Sequence, residues 1–268
     1  MSQDRPAHLL WMVFEGLPFG QATEHVVMRP NESGHFGFVE PCLHQASRLL
    51  PGGTVVLCDM EHALREDIVR HCRLLHQRGY LAANDGNVSV RLDAKRLLVT
   101  PSGVHKGFLE PDDLVVVDLQ GNKLSGKGQP TGELSLHLRA LAQRPDMSAV
   151  VHAHPPVAIA MSLTKKRLDG ILPEVTLSIG KLQVVPYARP LSTQLARNAA
   201  HALRDFNAVI LERHGTVALG RSVAEAYGMT ERVEHAAQVL WSAYAVSTPR
   251  PVPAKEHRAL LRMYDESR

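Results

Sequence analysis

From Glu61 onward, short β-branched runs alternate with apolar positions at helical spacing, and that alternation limits the chain to a layered α/β or α+β fold. Leu64, Ile68, Cys72 and Leu75 mark a first helix that stops at Gly79. Val88–Leu92 and Leu97–Thr100 read as two strands joined across Asp93-Ala94-Lys95, and Leu114–Leu119 as a third strand ended by Gly121-Asn122. A helix is expected over Glu133–Gln143, a strand over Ala149–His154, and a short helix over Val157–Leu163. Gln183–Val185 is strand-like, Ser192–Asp205 helical, and Ala208–Glu212 with Thr216–Leu219 forms two strands around a His-Gly turn. Val223–Ala245 carries the longest helical pattern, and a last helix near Lys255–Tyr264 is expected to dock weakly.

Residues 1–60 read differently, with Pro and Gly at short intervals and only short apolar stretches. Short helices are expected near Leu9–Phe14 and Cys42–Leu50, with a strand at Thr54–Cys58. This segment is expected to be an N-terminal extension, a cap or an oligomer contact, ahead of a catalytic domain over 61–250 and a tail helix over 251–268.

Composition excludes several partners. Among 268 residues a net charge of +3 is too small an excess for a nucleic-acid or anionic-membrane surface. The longest apolar runs fall far short of the ~20 residues of a membrane helix. Three cysteines without a C-x-x-C pair fit a reducing compartment, so a cytoplasmic protein is expected. Neither a G-x-G-x-x-G run nor a phosphate-loop lysine occurs, and no nucleotide cofactor is expected.

Histidine is the unusual residue, with fifteen in the chain. His152 and His154 are two apart on a strand, so both rings face one side, as two ligands of one metal ion do. Pro155-Pro156 ends that strand and puts the pair at the sheet's edge, where a pocket can form. His214-Gly215 lies on a tight turn, which can deliver a third imidazole because Gly allows close backbone approach. Glu133 opens a helix just after Pro130-Thr131-Gly132, where a carboxylate is favoured and plain capping is the simpler role. Three His and one Glu are compatible with Zn²⁺, Mn²⁺ or Fe²⁺. Spacing alone does not bring these residues together.

Five segments do more. Asp85-Gly86-Asn87-Val88-Ser89-Val90-Arg91, Thr100-Pro101-Ser102-Gly103, Pro130-Thr131-Gly132-Glu133, Val150-Val151-His152-Ala153-His154-Pro155 and Arg213-His214-Gly215-Thr216 resemble, in order and interval, the class II aldolase/adducin family over about residues 61–245. The resemblance implies a three-layer α/β/α domain and a fourfold-symmetric homotetramer with active sites between subunits. It implies one divalent metal ion per subunit on His152, His154 and His214, with Glu133 as acid/base and a further possible ligand. Asn87 and the Thr100–Gly103 turn, including Ser102, would hydrogen-bond an anionic group, and Thr131 and Gly132 flank the acid. His137, one helical turn beyond Glu133, would support it from behind.

The sequence also departs from the family's sugar-phosphate aldolases, which carry paired hydroxyl residues before the acid and a Tyr after the following helix. Thr131-Gly132 is one hydroxyl short, and Leu172-Pro173-Glu174-Val175 has no Tyr. Both departures resemble the decarboxylase branch and the prenylated 4-hydroxybenzoate synthases of aminocoumarin pathways, described as non-haem iron enzymes. The expectation is a metal-dependent lyase that breaks a C–C bond, by decarboxylation or retro-aldol cleavage, in a small non-phosphorylated and aromatic carboxylate or carbonyl compound. The alternatives are an Fe(II) oxygenase performing oxidative decarboxylation, a sugar-phosphate aldolase and an adducin-like binding module. Arg91 and Lys106 are further candidates to pair with a substrate carboxylate, Lys165-Lys166-Arg167 reads as a solvated loop, and His62, His71 and His76 are expected on the wet side of the first helix.

Overall fold

The computed structural model describes residues 57–164, 166 and 168–267, with the side chains of 57–59 left aside. The helices expected near Leu9–Phe14 and Cys42–Leu50, most of the strand expected at Thr54–Cys58, and Lys165 and Arg167 of the basic loop lie outside the described residues. Leu57 and Cys58, which that strand would include, are helical instead.

β5 (Ala149–Ala153) organises the described chain. Its five residues are all buried, and the run Ala-Val-Val-His-Ala suits a strand covered on both faces better than an alternating one. It lies inside an eight-stranded sheet, between β1 (Asn87–Arg91) and β8 (Gly215–Gly220). Beyond β1 come β2 (Arg96–Val99), β3 (Val115–Asp118) and β4 (Lys123–Ser125); beyond β8 come β7 (Ala208–Leu211) and β6 (Gln183–Val185). Only the β6–β7 pair is parallel.

Alternation across β5 sorts the helices into two layers. Val150 packs on one face with α2 (Leu134–Gln143) and α5 (Thr193–Leu203). Ala149, Val151 and Ala153 pack on the other with α1 (Leu57–Gln77) and the start of α6 (Val223–Val246). On that second face α3 (Pro156–Ser162) and α4 (Pro173–Ile179) cover β7 and β8 together with α6. The fold is therefore the expected three-layer α/β/α arrangement. Among the described residues, no helix is long and apolar enough to cross a membrane.

Several sequence expectations need correction. β4 and α4 carry too few periodic residues, three and seven, to be read from pattern. The histidine pair does not sit at a lateral edge; it stands at the end of a central strand, where β5 runs into Pro155. His71 is buried rather than wet, its ring packed at 5.3 Å from that of Tyr227 on α6. α7 (Ala254–Glu266) docks firmly on α4: Tyr264 is buried, and its ring fills the space a side chain at Gly180 would need.

Glu234 fixes the segment that follows the histidine pair. It is fully buried on α6, and its carboxylate accepts the backbone N–H groups of Val157 and Ala158 at 3.1 and 2.8 Å, the first turn of α3. Glu234→Ala leaves these donors without an acceptor, and a loss of about 2–4 kcal/mol is expected from the shift in urea midpoint. Glu234→Gln, which still offers one oxygen, is expected to lose less.

Candidate metal centre

Asn87, Ser89 and His152 share one orientation. Asn87 and Ser89 are two apart on β1, and Asn87 is the register partner of His152 on β5. All three face the layer of α2, whose N-terminal end carries Glu133 and, one turn on, His137. His214 arrives from the β7–β8 turn, where Arg213 adopts a left-handed φ of +64° and its N–H is held by the Ser162 hydroxyl at 3.0 Å. Gly215 has no space for a Cβ, because the Ala153 carbonyl fills it and His154 Cδ2 lies 2.8 Å away. The His-Gly turn thus meets the histidine strand by close backbone approach, as the sequence suggests.

His152, His154 and His214 form a group whose potential ligand atoms lie within 4.8 Å of one another. Nε2 of His154 is 3.1 Å from Nε2 of His152. The Glu133 carboxylate closes the set, with Oε2 3.0 Å from His152 Nε2 and Oε1 3.7 Å from His214 Nε2. Glu133 occupies the N-cap position of α2 yet makes no side-chain cap bond, so simple capping is not its role. Its Oε1 is buried without a hydrogen-bond partner.

Hydrogen-bond partners assign the protons. His152 Nδ1 is 2.8 Å from the Thr216 carbonyl, which can only accept, so Nδ1 carries hydrogen and Nε2 faces the cluster. Asn87 Nδ2 donates to Glu133 Oε2 at 3.0 Å, which leaves its Oδ1 to accept from His137 Nε2 at 2.5 Å. His137 Nδ1 then accepts the Ser89 hydroxyl at 2.7 Å. The chain Ser89–His137–Asn87–Glu133 is a continuous buried relay behind the carboxylate.

Electrostatics agrees with these assignments. Burial pushes His137 down to about 3, with the nearby His152 charge acting the same way, so it stays neutral. Burial also pushes His152 down, but the Glu133 carboxylate outweighs it and raises the ring above its ordinary value. Glu133 is pushed up by burial and held well below the carboxylate range by His152, Asn87 and His214 together. Burial, with the His152 charge, lowers His154, and lowers His214 to about 4. The Glu133 carboxylate and the His152 ring thus compensate each other's burial across 3.0 Å. A divalent cation offers the same compensation to more ligands, and it would also satisfy the orphaned Oε1. The donor set of three imidazole nitrogens and one carboxylate fits Zn²⁺, Mn²⁺ or Fe²⁺.

The expected anion-holding groups are placed less simply. Thr100 is fully buried and its hydroxyl accepts the Val88 N–H at 3.2 Å. Asn87 is committed to Glu133 and His137, and the Thr131 hydroxyl accepts the Glu133 N–H at 3.3 Å. Ser102 and Gly103 are exposed, the latter at φ +72°, although the Ser102 N–H bonds to the Gln129 carbonyl. Gly132 is exposed beside Leu191. The Arg91 guanidinium donates to the carbonyls of Met147 and Leu141. Lys106 is only 1% exposed and equally withdrawn.

Asp85 and Ser89 contribute as well, beyond the residues that sequence reasoning singles out. Asp85 Oδ2 faces His154 Nδ1 at 3.4 Å. For Ser89 the signal that could have found it is strand parity with Asn87.

An α/β/α layered fold with buried imidazoles and a carboxylate at the end of a central strand defines a class of metal-binding proteins. The chain matches the Class II Aldolase and Adducin N-terminal domain over residues 66–241 and belongs to that family. It is 38% identical over 173 residues to an L-fuculose phosphate aldolase of Methanococcus maripaludis, covering 65% of this chain and 93% of the relative. A 3-oxo-tetronate 4-phosphate decarboxylase of Haemophilus influenzae is 34% identical over 185 residues, covering 67% and 88%. The solved structure of YgbL from Escherichia coli superimposes with a TM-score of 0.69 at 32% identity, over 75% of this chain and 99% of that one.

A neutral buried His137 makes stability depend on pH. The unfolded chain takes up a proton near pH 6.5 that the folded ring refuses until about pH 3, so stability falls as pH drops through that window. For the metal-free protein, His137 alone is expected to cost about 2 kcal/mol between pH 7 and 5. Urea midpoints across that range check it, and His137→Gln should flatten the dependence.

Proposed function

We propose that the protein is a divalent-metal-dependent lyase that breaks a carbon–carbon bond by decarboxylation or retro-aldol cleavage. The observation that carries this reading is a buried carboxylate, Glu133, placed among three imidazoles with one oxygen fastened and the other free. His152, His154 and His214 would hold the cation, and Glu133 either completes its ligand set or is displaced by substrate. When bound, the cation supplies a Lewis acid that lowers the cost of negative charge on a substrate carbonyl oxygen as the bond breaks.

The chain's own residues handle the proton. Asn87 holds Oε2 of Glu133 and fixes the plane of its carboxyl group. Oε1 is then left to take a proton from a substrate hydroxyl in retro-aldol cleavage, or to return one to the carbon left behind. His137, kept neutral, orients Asn87 without competing for that proton.

The substrate belongs to the same proposal: a small, non-phosphorylated and aromatic carboxylate or carbonyl compound. What supports it is that Asn87, Thr100 and Thr131 are all buried, with the Asn87 amide donating to Glu133, which leaves few exposed donors for a phosphate. A second reading, a sugar-phosphate aldolase, is favoured by the names of the relatives, which carry phosphorylated substrates. Those relatives are lyases by name, and the Fe(II) oxygenase reading draws no support from them. The homotetramer implied by the family resemblance belongs to this proposal too, and light scattering reads it.

Metal analysis followed by assays with aromatic α-keto and α-hydroxy acids, and with L-fuculose 1-phosphate, tests these readings. Carbon dioxide or aldehyde release without oxygen uptake is expected from the aromatic acids. Glu133→Gln should lower kcat by about 10²–10⁴-fold, and His152→Ala should abolish metal retention. Efficient turnover of the sugar phosphate alone would replace the first substrate reading by the second, and metal-free protein with unaltered activity would end both.

A further inference from the structure

Lys106 is a lysine almost without solvent, 1% exposed, and its direct partners are neutral. Nζ donates to the Val104 carbonyl at 2.7 Å and to the Asn84 carbonyl at 3.2 Å, while its backbone N–H donates to the Ala83 carbonyl at 3.3 Å. One residue therefore fastens two consecutive carbonyls of the turn before β1 to the loop after β2. That turn needs fastening. Ala83 has a left-handed φ of +48°, and Gly86 one of +65° at a point where a Cβ would lie 2.7 Å from the His152 carbonyl oxygen. The left-handed conformation of Ala83, costly for a residue with a Cβ, holds only when the surroundings impose it.

Between them stands Asp85, whose Oδ2 is 3.4 Å from Nδ1 of His154, the ring whose Nε2 faces His152. A carboxylate at Nδ1 favours hydrogen on that nitrogen and leaves Nε2 as the lone-pair atom. A neutral side chain of the same length would fill the space of Lys106 without the cost of burying an ammonium group. Burial pushes that ammonium down, with Cys72 and the Asp85 charge acting the other way. A neutral apolar replacement would lose both carbonyl bonds made by Nζ, and with them its hold on the residue before Asp85.

We propose that Lys106 is a positioning residue: its buried ammonium fixes the turn from Ala83 to Asp85, so that the Asp85 carboxylate faces Nδ1 of His154 and keeps Nε2 of that ring directed at the cluster. The link to metal affinity rests on the metal-centre reading above; the link to the His154 ring does not.

Two measurements on Asp85→Asn, Lys106→Met, the double variant and Lys106→Arg test it. The first is the ¹⁵N spectrum of the histidine rings in metal-free protein at neutral pH, which reports the tautomer of His154. Wild type and Lys106→Arg should show the Nδ1–H form, and Asp85→Asn and Lys106→Met should show a mixture. The second is Zn²⁺ affinity by chelator competition. Each of the two disrupting variants should lose about 10–100-fold, and the double variant no more than the weaker single one, because both act through one contact. Independent, additive losses would overturn the proposal, as would a wild-type His154 tautomer in Lys106→Met. Failure of both Lys106 variants to fold would assign the residue to stability alone and overturn it equally. Wild-type protein that binds no Zn²⁺ would end the metal-centre reading, while the ring spectra would still decide the role of Lys106.

Discussion

The bond from His152 Nδ1 to the Thr216 carbonyl is the constraint on which the site depends. An imidazole with no solvent exposure, in a strand covered on both faces, must place each ring nitrogen on a partner. β8 lies alongside β5, so the Thr216 carbonyl takes Nδ1, and Nε2 is left to face Glu133. Every other component is set relative to that nitrogen. Asn87 is its register neighbour on the opposite strand, His214 begins the strand that supplies Thr216, and α2 brings Glu133 over the top.

A buried polar network of this kind is unforgiving. Ser89, His137, Asn87 and Glu133 each have one arrangement in which donors meet acceptors, and reversing any one of them sets two donors or two lone pairs face to face. Such a network restricts the core to a single arrangement where apolar residues of equal size would allow several. The free Oε1 of Glu133 is the exception, and it points to the cluster of imidazoles. With the Nδ1 of His214, it is one of two buried polar atoms of the cluster left without a hydrogen-bond partner, and such groups call for an explanation.

Much of this was legible in the chain itself. The parity of His152 and His154, the stop at Pro155 and the Gly after His214 are local properties, and the structure honours each. The layered fold followed from helical and β-branched periods, which miss the short β4 and α4 and take the start of α1 for the end of a strand. What was not legible was whether a polar residue near the site faces inward or is already committed. Thr100 and Arg91 looked available because their hydroxyl and guanidinium are good anion ligands. Both are taken by backbone groups brought near only by the sheet, Val88 across β1–β2 for one and the α2–β5 connection for the other. Long-range pairing of that kind leaves no periodic trace in a sequence.

The same commitment of polar groups bears on how a substrate would be recognised. A phosphate is held by several donors that are exposed before it arrives, and here Asn87, Thr100 and Thr131 are buried instead, with the Asn87 amide donating to Glu133. Freeing Asn87 would release Glu133 and His137 together, so it cannot be recruited to an anion without disturbing the acid/base group it serves. Under the proposed function, recognition would then fall to the exposed Ser102–Gly103 turn and to the surface of Gly132 and Leu191. Leu191 is 69% exposed at a left-handed φ of +64°, a conformation costly for a leucine and not offset by its own burial. An apolar side chain held there beside Gly132 is the feature on which the proposed aromatic substrate would have to draw.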